Sequence, residues 1–159
     1  MDAAGILEAL ARARRTLAVA ESFTGGRLAD ALTDVPGSSR AFVGAVVAYT
    51  NEAKRSLLRV GEGDLLLHGA ASEEVARALA QGARERFNSD YAVATTGIAG
   101  PTGATLAKPL GLSYAAVTGP SRSLVDARIH PGSRQDVKRA ATRQALDLLG
   151  RLLEEEGIL

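Results

Sequence analysis

Ser22 is the residue whose surroundings best fit covalent chemistry. It lies in Ala20-Glu21-Ser22-Phe23-Thr24-Gly25-Gly26, between the apolar run Leu17–Ala20 and a helix-like segment that begins at Arg27. A polar turn between a strand and a helix sits at the carboxyl end of the strand, where open α/β sheets bind ligands. The first N–H groups of such a helix lack intrahelical partners, and its dipole favours an anion. Two roles fit. Ser22 can be a nucleophile beside a turn of backbone donors, or Ser22 or Thr24 can simply cap the helix.

A serine nucleophile needs a neighbouring base. His68 precedes a helix-like segment and His130 sits beside Pro131-Gly132, and neither anchors a hydrolase triad. With no Cys and no clustered His, no metal or other cofactor is expected. The lysines are at 54, 108 and 138. Lys54 follows the strand ending near Tyr49 and falls in the first turn of a helix, where the dipole disfavours a cation and so lowers its pKa. It fits a general base, and it also fits a surface lysine in a helix capped by Asn51. A second loop, Thr96-Gly97-Ile98-Ala99-Gly100-Pro101-Thr102-Gly103-Ala104-Thr105, combines three glycines, a proline and three threonines, and so exposes backbone at another strand end.

Positioning these residues requires alternating elements. Residues 3 to 14 have helical periodicity, with Ile6, Leu7 and Leu10 along one stripe. Thr16 to Ala20 is apolar throughout and reads as a central strand. A helix to about Thr33 and a turn cluster at 34–39 follow. Ala41 to Thr50 reads as a long strand, with Gly44 marking a close backbone approach. A short helix opens at Asn51, and Gly61-Glu62-Gly63-Asp64 reads as a break. Ser72 reads as the N-cap of a long helix whose Val75, Leu79, Ala83 and Phe87 form a buried stripe. Tyr91 to Thr96 is a further strand. Gly111–Thr118 and Ser123–Ile129 form a hairpin, and residues 133 to 155 form the last helix. The fold expected is a three-layer α/β/α sandwich on a mixed, mostly parallel sheet with one antiparallel strand. Ser22, Tyr49 and the loop at 97–105 then share one rim.

The 159 residues suit a single domain, 1–159. The net charge of +1, from 19 Lys+Arg against 18 Asp+Glu, gives no electrostatic footprint for nucleic acid. No apolar run approaches the roughly 20 residues of a membrane span, and no signal-peptide pattern opens the chain. A cytoplasmic protein with neither nucleic-acid nor membrane partners is expected.

Five segments stand in the order and spacing of one family. They are Ala20-Glu21-Ser22-x-Thr24-Gly25-Gly26, Pro36-Gly37-Ser38-Ser39, Ala48-Tyr49-x-Asn51-Glu52-Ala53-Lys54, His68-Gly69-Ala70-x-Ser72 and Thr96-Gly97-Ile98-Ala99-Gly100-Pro101. From about residue 5 to 155 the chain resembles the CinA C-terminal domain family, which includes a bacterial nicotinamide mononucleotide deamidase. The resemblance implies an amidohydrolase that converts nicotinamide mononucleotide to nicotinate mononucleotide and ammonia, in pyridine nucleotide recycling. It implies Ser22 as nucleophile, Lys54 as base and Tyr49 as a hydrogen-bonding partner. It also implies a substrate-binding set of Glu21, Thr24, Gly25, Gly26, Thr96, Gly97, Gly100 and Arg134, the last resting on Gly132-Ser133-Arg134 where relatives have Gly-Asp-Arg. A homodimer is implied too, with the Gly111–Ile129 hairpin as its candidate interface. Other departures are Phe23 for a usual Cys, Thr95 for an apolar residue and Ala104 for a Gly. The family often carries a larger N-terminal domain, so the chain is expected to be either a stand-alone enzyme or one domain of a longer protein. The competing expectations are a non-catalytic nucleotide-binding module and an interaction module linked to competence or DNA repair.

Overall fold

A computed structural model describes residues 2–159. Five strands, β1 (Leu17–Glu21), β2 (Phe42–Val47), β3 (Tyr91–Gly97), β4 (Leu112–Thr118) and β5 (Ser123–Ile129), form one sheet in the order β2-β1-β3-β4-β5. β1 pairs in parallel with β2 and β3; β4 pairs antiparallel with β3 and β5. Only β4 therefore runs against the rest, as the sequence pattern predicts. The helices are α1 (Ala3–Arg12), α2 (Arg27–Thr33), α3 (Asn51–Leu58), α4 (Glu62–His68), α5 (Glu73–Phe87) and α6 (Arg134–Glu155).

Each face of the sheet has its own core, because successive side chains of a strand point to opposite faces. Leu17, Val19, Tyr91, Val93 and Val117 pack beneath α1, α2 and α6, against Leu28, Leu32, Leu149, Leu152 and Leu153. The alternate residues Ala18, Ala20, Ala92 and Ala94 face α3, α4 and α5, against Leu58, Leu65, Val75 and Leu79. The alanines on that side let α5 lie close to the sheet. Gly44 bears out its reading, since a Cβ there would come within 2.5 Å of the Phe87 ring, which closes the end of α5 over β2.

The order of strands sets the rim. In the central register Glu21 stands level with Val47 of β2 and Thr95 of β3. The next step is also bonded across: the Ser22 N–H donates to the Thr95 carbonyl at 3.0 Å, and the Ala48 N–H to the Glu21 carbonyl at 2.8 Å. Three parallel strands thus end together, and the segments leaving them start side by side.

Some local readings are corrected. α1 stops at Arg12, and Arg14 adopts a left-handed φ of 54°. β2 ends at Val47, so Tyr49 stands beyond the strand. Thr50, not Asn51, caps α3, its hydroxyl accepting from the Ala53 N–H at 3.1 Å; Asn51 is the first helical residue. The stretch read as a break at 61–64 instead opens α4, with Glu62 and Asp64 in its first turn where the dipole favours them. Two glycines outweighed that charge placement in the sequence pattern.

Candidate functional site

Ser22, Tyr49, Lys54, Thr96, Gly97, Gly100 and Arg134 line one cavity of about 260 Å³ at the carboxyl rim. They come from four places: the turn after β1, the segment from β2 into α3, the end of β3 with its loop, and the start of α6. Phe23, Asn51, Ala70 and Thr102 complete much of the wall. No Asp or Glu lines it, while Arg134 does, so the cavity favours an anionic or electron-rich ligand.

Lys54 is buried, with 2% of its surface exposed. Its side chain makes no hydrogen bond or ion pair among the described residues, and burial alone pushes its ammonium below the ordinary lysine value. Burial of this kind disfavours the charged form of the lysine. Ser22 is buried to 7% exposure, and no hydrogen bond joins it directly to Lys54. Its backbone is held on both sides, by Thr95 at its N–H and by the Gly25 N–H, which donates to its carbonyl at 3.1 Å.

Tyr49 is half-exposed at the cavity mouth. The Arg134 guanidinium donates to the Tyr49 hydroxyl through Nη2 at 2.7 Å and to the Gly100 carbonyl through Nη1 at 2.7 Å. Arg134 therefore ties the two sides of the mouth together. It is the first residue of α6, whose N-terminus is closed by a capping box: Ser133 Oγ accepts from the Asp136 N–H, and Asp136 accepts from the Ser133 N–H. Serine is a strong N-cap, and with Ser133 in that role Arg134 opens the helix at the cavity mouth.

Thr96 and Gly97 are placed by packing. The Thr96 hydroxyl donates to the Ala70 carbonyl at 2.6 Å and ties the α4–α5 connection to the cavity wall. A Cβ on Gly97 would lie 2.4 Å from the Leu112 carbonyl oxygen and 3.0 Å from the Phe23 ring. Phe23 itself is buried against Ala99, Val137 and Ala141, so it turns the unusual ring into the wall between the site and α6.

Four residues expected to bind substrate do not line the cavity. Glu21 and Thr24 are fully buried beneath it. Glu21 Oε2 accepts from the Thr24 hydroxyl at 2.6 Å, the Gly26 N–H at 3.0 Å and the Leu28 N–H at 3.2 Å, while Oε1 accepts from the Ala29 N–H at 2.9 Å. The donors at the start of α2, expected to face a ligand anion, are occupied by the chain's own carboxylate. Gly25 and Gly26, with φ of 65° and 99°, shape the turn that lets Glu21 reach them.

Asn51 and Ala70 are wall residues that the sequence pattern did not single out as such. The pattern around Asn51 fits an N-cap, and that fit masks its place in the wall. His68 ends α4, 3.7 Å from Glu74, and His130 Nε2 lies 3.0 Å from the Gln144 side-chain oxygen. His130 does line a neighbouring cavity of about 330 Å³, which shares Ala99, Gly100 and Arg134 with the first.

The architecture defines the class: an α/β/α sandwich with a serine- and lysine-lined cleft at the carboxyl ends of its parallel strands. The chain belongs to the CinA C-terminal domain family, which it matches over residues 2–153. It is 51% identical over 144 residues to a CinA-like protein of Gloeobacter violaceus and 48% identical over 144 residues to one of Mycobacterium marinum, covering 89% and 90% of this chain. Each match spans 34% of the relative, so the chain corresponds to about a third of those curated proteins. Among solved structures, the CinA superfamily protein of Escherichia coli superposes with a TM-score of 0.91 at 32% identity, covering 95% of this chain and 88% of that one. A competence/damage inducible protein of Agrobacterium tumefaciens gives 0.91 at 38% identity, covering 94% and 92%. No helix among the described residues is long and apolar enough to cross a membrane.

Proposed function

We propose that this domain hydrolyses the carboxamide of nicotinamide mononucleotide, releasing ammonia and nicotinate mononucleotide, with Ser22 as nucleophile and Lys54 as base. The observation that carries the reading is Lys54: a buried amine with depressed proton affinity and no carboxylate partner, in the same cavity as a serine at a strand end. An acid partner would hold it as a cation; burial alone favours the neutral form a base requires.

In this reading Ser22 Oγ attacks the carboxamide carbon and its proton passes to Lys54 Nζ. The tetrahedral oxyanion needs preorganised donors. The N–H groups of Phe23, Thr24, Ala99 and Gly100 form no hydrogen bond among the described residues, whereas those of Gly25 and Gly26 are already committed. Of the first four, Phe23, Ala99 and Gly100 line the cavity and are therefore the donor candidates. The C–N bond breaks, the amine leaves as ammonia with the proton from Lys54, and an acyl-serine remains. Water then attacks the ester, gives its proton to Lys54, and Ser22 regains a proton as nicotinate departs. Tyr49, with its oxygen held by Arg134, orients the carboxamide. The nucleotide's ribose phosphate extends past Arg134 toward the neighbouring cavity, where the guanidinium supplies charge.

Ammonia release from nicotinamide mononucleotide tests this. The wild type is expected to turn over, and Ser22→Ala and Lys54→Ala each to lose turnover while still binding the nucleotide. A wild type that binds the nucleotide without releasing ammonia identifies a binding module instead. Full activity in Ser22→Ala overturns the covalent route.

A further inference from the structure

We infer that Glu21 and Thr24 are positioning residues for Ser22: a buried carboxylate–hydroxyl brace that holds the turn and never meets the substrate. The inference rests on the serine chemistry proposed above. Its geometry is independent of which carboxamide is cleaved.

Each hydroxyl has one proton to donate. Thr24 gives its proton to Glu21 Oε2, so the 2.7 Å contact between the Thr24 and Thr95 hydroxyls has Thr95 as donor. The direction of the chain is therefore Thr95 to Thr24 to Glu21. Glu21 also takes the N–H groups of Gly26, Leu28 and Ala29. One carboxylate thus fixes both the side chain two residues beyond Ser22 and the first turn of α2 behind it. Thr95 holds the turn twice, by its carbonyl on the Ser22 N–H and by its hydroxyl on Thr24. Ser22 stands between the residues being held. Its Oγ makes no hydrogen bond among the described residues, so the backbone and its neighbours set its position.

Glu21, Thr24 and Thr95 are all fully buried and none lines either cavity at the rim. A ligand cannot reach them without dismantling the α2 cap. Their loss should then change the geometry of attack, which acts on kcat, and leave binding alone.

Thr24→Val keeps the shape and removes the hydroxyl. With nicotinamide mononucleotide as substrate we expect kcat to fall about tenfold or more with KM within twofold of wild type. Amide hydrogen exchange should accelerate across residues 22–26 and stay unchanged in α5. Thr24→Ser restores the hydroxyl and should recover kcat to within about threefold. Glu21→Gln should act in the same direction more strongly, and where it fails to fold the threonine pair still decides. A tenfold rise in KM at unchanged kcat in Thr24→Val would make Thr24 a substrate ligand and overturn the inference. So would unchanged exchange and kcat, or an equal loss in Thr24→Ser. A wild type that releases no ammonia defeats the proposed reaction instead, and the exchange rates then decide the brace by themselves.

Discussion

The two glycine-rich segments at the rim look alike in sequence and differ in structure. The turn at 22–26 is buried at Ser22, Phe23 and Thr24, and bonded to β1, β3 and α2. The loop after β3 is pinned at its neck, where the Ile98 N–H donates to the Leu112 carbonyl, the Gly111 N–H donates to the Ile98 carbonyl and Arg134 holds Gly100, and again at Lys108, which bonds to Thr105 and donates through Nζ to the His68 carbonyl. From Pro101 to Ala107 it is exposed throughout, and Leu106 has no cover at all. Glycine serves opposite ends. In the turn, Gly25 and Gly26 allow a backbone that internal donors and acceptors lock. In the loop, Gly103 lies where few contacts exist to lock anything. The difference separates a turn locked by its own hydrogen bonds from a loop whose tip is exposed.

The largest effect should come from the fixed side. Lys54→Met is expected to lower kcat by about 10³-fold, in the range of losing a nucleophile's base. Its effect on stability should be opposite. Burial lowers the folded-state pKa of Lys54 below its unfolded value, so between the two values the unfolded chain holds more proton than the folded one, and below both the charged, buried lysine destabilises by a constant amount. Stability contributed by this group therefore rises with pH from the depressed folded pKa up to about 10.5, the ordinary lysine value. Lys54→Met should raise Tm at neutral pH by about 3 °C and flatten that rise. In the wild type kcat should increase with pH through the depressed value, since the base works only when neutral. A kcat that falls over that range would remove Lys54 as the base.

Gly97→Ala tests whether the neck of the loop belongs to the rigid side. The added methyl meets the Leu112 carbonyl at 2.4 Å, in backbone that the β3–β4 ladder holds, and presses on Phe23. A destabilisation of about 2–3 kcal/mol is expected, read from denaturant midpoints. An unchanged midpoint would show that the neck can give way as the tip can.

Much of this was legible from residue order. β1 is apolar from Leu17 to Ala20 because helices cover both its faces, and Val75, Leu79 and Ala83 repeat as a helix buried on one side must. The cavity residues Ser22, Tyr49, Lys54 and Arg134 were legible through motif spacing, since each follows an element whose end lies on the rim. What was not legible is where side chains turn. Glu21 stands next to Ser22 in sequence, yet side chains alternate along a strand. Its neighbour faces the cavity while it faces α2. The unusual Thr95 likewise fills a buried polar position, where Thr24 accepts its proton. Such a contact spans 71 residues and leaves no local pattern. The α4 helix was missed because two glycines mask a first turn that carries Glu62 and Asp64.

Arg134 lies between the two regimes, bonded to the loop neck and to Tyr49 at once. Arg134→Gln keeps a donor but loses the charge and the fork. An increase in KM for the nucleotide of about tenfold is expected, with a smaller fall in kcat from the released Tyr49. If kcat alone falls, Arg134 acts through Tyr49 and not on the ligand's phosphate, and the cation assigned to the nucleotide must be sought elsewhere.

The smallest effect should come from the exposed tip. Ala104→Gly adds backbone freedom at an exposed position outside any helix or strand. The folded loop loses nothing, while the unfolded chain gains entropy, so stability should fall by only about 0.5 kcal/mol. If the tip closes over the ligand, that freedom must be given up on binding, and KM should rise by about twofold with kcat unchanged. Hydrogen exchange at 101–107 measured with and without nucleotide separates the cases. Slowing on binding, larger than any change at 22–26, would confirm that the open loop orders around the ligand while the turn was ordered before it arrived. Equal slowing in both would mean that the turn, for all its internal bonds, is completed only by substrate.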